Sequence, residues 1–166
     1  MPHRRPTAHA PLPRRCRAAP LAFDAFFQRW HQPFLRYAAM RLWNTATAQA
    51  AVLETALRIQ QNWDQILAEP APAAVAFSIL NDTVDAFTPV PDRLPSPIES
   101  ALSALEGQAP QQAQCLRLRH LIELPYDAVA ALLDINTDLA KNQTWQGMRF
   151  LDRTLNPPPT AESTPL

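Results

Sequence analysis

The stretch Leu121–Leu155, LIELPYDAVAALLDINTDLAKNQTWQGMRFLDRTL, decides the fold. Its apolar residues recur at helical spacing on both sides of a short turn. The pattern predicts helices over 125–133 and 137–155, with Thr137 capping the second. Two short amphipathic helices around a tight turn form a helix-turn-helix, an element that usually reads DNA through its second helix. On that second helix Trp145 is expected to face outward, away from Ala140, Thr144, Met148 and Leu151. Few positive charges lie on this helix, in conflict with a phosphate-gripping role.

Upstream, Gln111–Ile122 continues the helical pattern. Ile98, Ala101, Leu102 and Leu105 mark a further helix at i, i+3, i+4, i+7, and Gly107 and Pro110 punctuate the break after it. Residues 89–97 are rich in proline and read as an extended linker. A first block covers 21–88, with helices expected over Leu21–Trp43, Thr47–Ile66 and Ala73–Phe87. Pro33 should kink or split the first of these, because proline lacks an N–H and clashes with the preceding turn. In the second helix Ala51, Val52, Thr55, Ala56, Ile59 and Trp63 fall in register. Residues 1–20 and 157–166 lack periodicity and read as disordered tails. The expectation is an all-α chain of two small helical domains, 21–88 and 98–156, the second a winged-helix-like tri- or tetra-helical helix-turn-helix unit.

Charge is balanced overall and uneven along the chain. Residues 1–20 carry five arginines and no acid, so the remainder is net −5. Two cysteines, Cys16 and Cys115, exclude a disulfide framework, and Cys115 reads as a buried small apolar residue. His3, His9, His31 and His120 lack ligand spacing. Two glycines are too few for a phosphate-cradling loop. No nucleophile–base grouping or paired carboxylates emerge, so the chain is not expected to be an enzyme, to hold a metal or cofactor, or to take a small-molecule substrate. No stretch approaches the ~18 apolar residues of a membrane span, and no secretory signal is evident, which makes the cytoplasm the expected compartment.

Three segments carry a resemblance to a known family. Phe27–Ala38 (FQRWHQPFLRYA), Val52–Asp64 (VLETALRIQQNWD) and Ala109–Leu155 resemble, in order and spacing, motifs of the extracytoplasmic-function (ECF) class of bacterial sigma factors. Ala76–Phe87 (AFSILNDTVDAF) adds Asn81 and Asp85 at matching positions. The resemblance implies that the first block binds core RNA polymerase, with Glu54, Thr55, Leu57 and Arg58 on the contacting helix. It implies that the second block reads promoter DNA through Lys141, Asn142, Gln143, Trp145, Gln146 and Arg149. An anti-sigma factor is a further partner that it implies.

The chain departs from the family where nucleic acid is touched. Gln143, Gln146 and Gly147 stand where the family has Arg, Arg and Ala, and Leu80 stands where it has Arg before Asn81. Residues 97–156 sum to −2, and Asp138 sits where a helix N-terminus would favour phosphate. Asn and Gln can still pair with adenine, and Arg or Lys with guanine. Two readings follow. The chain is an ECF-like sigma factor directing promoter recognition and transcription initiation, or it keeps the sigma fold as a protein–protein interaction module that no longer reads promoter DNA. The basic tail, Arg4 to Arg17, could add non-specific DNA affinity in the first case.

Overall fold

The computed structural model describes residues 18–87 and 94–158. The cysteine at position 16, the basic segment up to 17, most of the proline linker and the end of the C-terminal tail lie outside the described residues. All regular structure among the described residues is helical. There is accordingly no β wing on the second block there.

Helix α1 (Ala18–Leu42) runs through Pro33 as one helix, so of the kink or split expected from the sequence the split does not occur. Proline costs the helix one hydrogen bond, and packing offsets that loss. Trp30, Phe34, Tyr37, Ala38 and Leu42 form one buried stripe along the helix. Tyr37 meets Phe77 edge-on at 4.9 Å between ring centroids, and Phe34 packs against the same ring at 6.4 Å.

Helix α2 (Thr45–Gln61) is capped by Asn44, whose side chain accepts from the Thr47 amide. The single helix expected over 47–66 is interrupted at Asn62, and a short α3 (Trp63–Ala68) follows. The Asn62 side chain donates to the Arg58 carbonyl at 2.9 Å. Asparagine offers the backbone such an alternative to the helix ladder. The break seats Trp63 against Phe23 and Phe26, at 5.6 and 5.2 Å between centroids. Helix α4 (Pro72–Ala86) begins with proline at its first turn, where the missing N–H is harmless.

Helix α5 (Pro97–Gln108) opens with a reciprocal capping box: Glu99 N–H donates to Ser96 Oγ, and Ser96 N–H donates to Glu99 Oε2. Helix α6 (Pro110–Leu116) passes directly into a π-helical turn, Arg117–Leu121. Helices α7 (Tyr126–Leu133) and α8 (Thr137–Leu155) complete the chain. The cap of α8 is Asn136, which accepts from the Leu139 amide at 2.7 Å, and not Thr137.

The apolar core is shared by the two helical groups. Phe34, Tyr37, Ile59, Leu80 and Val84 of the first group belong to one buried cluster with Cys115, Leu118, Ile122, Val129 and Leu132 of the second. Helix α7 packs on α4. A smaller cluster, Leu102, Leu105, Ala113 and Leu116, holds α5 to α6, with Phe150 and Leu151 of α8 against it.

Candidate nucleic-acid and partner interface

The helix-turn-helix is built from α7, a three-residue turn and α8. Asp134 takes the left-handed conformation at φ 52° and ψ 47°. The amides of Asp134 and Ile135 both donate to the Ala130 carbonyl, closing the end of α7. The chain then reverses into α8.

Ala140, Thr144 and Gly147 form the buried face of α8. Gly147 fits because the approach to α6 is close: an added Cβ would lie 3.1 Å from Leu116 Cδ1 and 3.3 Å from the Gln112 carbonyl oxygen. Met148, placed inward by the sequence reading, is exposed, and Gly147 takes the inward position. The steps from 140 to 144, 147 and 151 follow the helical period more closely than a step to 148.

Lys141, Trp145 and Arg149, at i, i+4 and i+8, line the opposite face. Trp145 is 56% exposed and does not belong to the core. The Arg149 guanidinium lies over its ring at 4.7 Å. Lys141 Nζ is 3.8 Å from Asp138 Oδ1, an exposed pair worth little. Asn142 is exposed beside them, and Gln143 is half-buried. Gln146 differs from the outward residue expected: Gln112 Nε2 donates to its Oε1 at 2.9 Å, and its own Nε2 donates to Asn142 Oδ1. The expected DNA-facing set is therefore brought together in part, with Gln146 tied to α6.

On α2, Leu57 and Arg58 are exposed and Glu54 is half-buried. Arg58 Nε donates to Glu54 Oε1 at 2.9 Å across one helical turn. Thr55 is fully buried, its hydroxyl donating to the Ala51 carbonyl, so it cannot touch a partner in this structure. Its register with Ala51, Val52 and Ile59 already signalled this. Leu53, 63% exposed, stands one turn before Leu57 on the same exposed edge of α2.

A polar cluster between the helical groups was not singled out from the sequence. Tyr37 donates to Asn81 Oδ1 at 2.6 Å, and Arg41 Nη1 donates to the Tyr37 oxygen at 3.1 Å. Arg41 Nη2 also reaches Asp85 at 2.9 Å. Across the groove, Arg117 Nη2 donates to Glu106 Oε2 at 2.8 Å, and Glu106 Oε1 lies 3.8 Å from Arg41. Burial pushes the Tyr37 hydroxyl above its ordinary value, against the opposing pull of Arg41. The hydrogen bond from Arg117 holds the Glu106 carboxyl below its ordinary value although partial burial opposes this. The sequence signals here are Asn81 and Asp85 at family-like positions and Tyr37 within the Phe27–Ala38 segment. Leu80, where the family has arginine, is fully buried in the core.

The chain matches no protein-family model and no curated protein sequence. Among solved structures it is similar to a chain of an RsbN–BldN complex, at 22% identity over 81% of this chain and 91% of that chain, with a TM-score of 0.32.

Proposed function

We propose that the chain is a divergent sigma-like factor that binds core RNA polymerase and directs transcription initiation. The observation that carries this reading is the helix-turn-helix with an outward line of Lys141, Trp145 and Arg149 on its second helix. The three motif resemblances in order and spacing support it. In this reading the exposed Leu53, Leu57 and Arg58 edge of α2 meets the polymerase, and Glu54 orients Arg58 through their ion pair. Lys141, Asn142 and Arg149 meet promoter DNA, with Trp145 beside them. The mechanism is binding and melting, without bond chemistry by the chain itself.

A second reading, a sigma-like interaction module without promoter recognition, is favoured by one observation. The few cations of α8 are engaged locally: Lys141 faces Asp138, Arg149 stacks on Trp145, and Arg153 donates to the Arg149 carbonyl. Anti-sigma or other regulatory proteins would then be the partners of the exposed Trp145 and Met148 surface.

Co-purification of the tagged full chain with core RNA polymerase at moderate salt tests the common part. A stoichiometric complex supports either sigma-like reading, and a folded chain that captures no polymerase refutes the first. Promoter binding separates the two. With two phosphate contacts, from Lys141 and Arg149, the slope of log K against log salt should be about −2, steepening by about 1 in Gln143→Arg. A flat salt dependence rules out promoter reading by this helix.

A further inference from the structure

A cleft of about 620 Å³ opens between α1 on one side and α5 with the π turn on the other. Its walls include Trp43, Ile98 and Leu121, which are 58%, 53% and 46% exposed and so leave apolar area that an occupant could bury. Arg117 also lines it, with a side chain only 9% exposed. Nη2 of Arg117 is spent on Glu106, whereas Nη1 is buried and has no hydrogen-bond partner. A buried donor without an acceptor is costly, and an acceptor supplied from outside would relieve that cost. A concave site of this size, mostly apolar and with a convergent polar group, has the make-up of a small-molecule site.

Charge selects the class of occupant. The ionisable residues lining the cleft are two arginines, Arg41 and Arg117, and two glutamates, Glu99 and Glu106. The arginines are already balanced: Arg117 pairs with Glu106 at 2.8 Å, and Arg41 pairs with Asp85 at 2.9 Å and lies 3.8 Å from Glu106. An incoming carboxylate would meet that glutamate, and an uncharged oxygen would not. We propose that this cleft binds an uncharged, mainly apolar small molecule whose carbonyl or ether oxygen accepts a hydrogen bond from the Arg117 guanidinium, the side chain turning its buried Nη1 toward the occupant on binding. Because the walls come from both helical groups, the occupant bridges them and raises the stability of their packed arrangement. The site stands apart from the α2 and α8 faces, so it fails or holds independently of the sigma-like reading.

The test uses the full chain and Nile red, an uncharged apolar dye with a carbonyl oxygen, followed by fluorescence and by thermal melting. One saturable site and a raised melting temperature are expected. Ser103→Trp, at an exposed residue of the cleft wall, should fill the cleft and abolish saturable binding. Arg117→Lys keeps a cation for Glu106 but lacks the second nitrogen, and should weaken binding at least about tenfold, the loss of one charge-assisted hydrogen bond. Decanamide should displace the dye at lower concentration than decanoate. Absence of saturable binding, or binding unchanged in Ser103→Trp, overturns the proposal, and equal competition by decanoate overturns the choice of an uncharged ligand. Should Arg117→Lys fail to fold, the surface variant still decides.

Discussion

Asp134 sets the corner of the helix-turn-helix, and replacing it tests whether backbone strain is stored there. Its φ of 52° lies in the left-handed region, and glycine would occupy that region without penalty. For an ordinary L-residue the left-handed conformation costs roughly 1–2 kcal/mol, less for Asp because its short side chain can bond locally. Part of the relief is returned, since glycine has more freedom in the unfolded chain. Asp134→Gly should therefore stabilise by about 0.5–1 kcal/mol. With a urea m-value of about 2 kcal/mol/M, the midpoint rises by ~0.25–0.5 M at unchanged m. Asp134→Ala should lower the midpoint and Asp134→Val should lower it further, since the β-branched side chain is worst placed at positive φ. The side chain is exposed, so lost packing does not confuse the series. Glu123, exposed and at φ 64° just after the π turn, should respond to glycine in the same direction. A midpoint that falls in Asp134→Gly, or that is insensitive to Val, would refute the assignment of strain to this corner.

Further outcomes follow from the packing. Gly147→Val places a Cβ within 3.1–3.4 Å of Leu116, the Gln112 carbonyl and Leu105, and overpacking of this kind should destabilise by about 1–3 kcal/mol in a denaturant melt. The Glu106 carboxyl is held below its ordinary 4.5, so its contribution is present above that pH and is lost on acidification through the lower folded value. Glu106→Gln should accordingly flatten the acid limb of stability against pH, and a limb identical to wild type would exclude the Arg117 pair as its source. Burial pushes the Cys115 thiol up to about 11. In a Cys16→Ser background it should react with a thiol reagent at neutral pH only as fast as the chain opens, and rapid native-state labelling would contradict its burial.

Much of the architecture was legible in the chain. Helical periodicity placed α4, α5, α7 and α8 within a few residues, because each buries a single apolar stripe and is bounded by proline or a polar cap. The Ser96–Glu99 box is present in the letters as S-x-x-E, at the start of α5. The break at Asn62 was hidden because the apolar register of Ile59, Trp63 and Ile66 runs straight through it, while a side-chain hydrogen bond ends the ladder. At Pro33 local sterics allow a kink or a split, and buried aromatic rings on either side keep one helix.

The sequence by itself determined an all-helical chain, the position of the helix-turn-helix and the shortage of cations on its second helix. These rest on local propensity, period and charge, which need no partner to be read. Only the tertiary structure decided that Gln146 turns to Gln112, that Thr55 is sealed in the core, and that Tyr37, Arg41, Glu106 and Arg117 meet across the groove. Those outcomes depend on how the helices within each group pack together and on how the two groups meet. Both are set by contacts between residues far apart in the chain, and no local pattern encodes them.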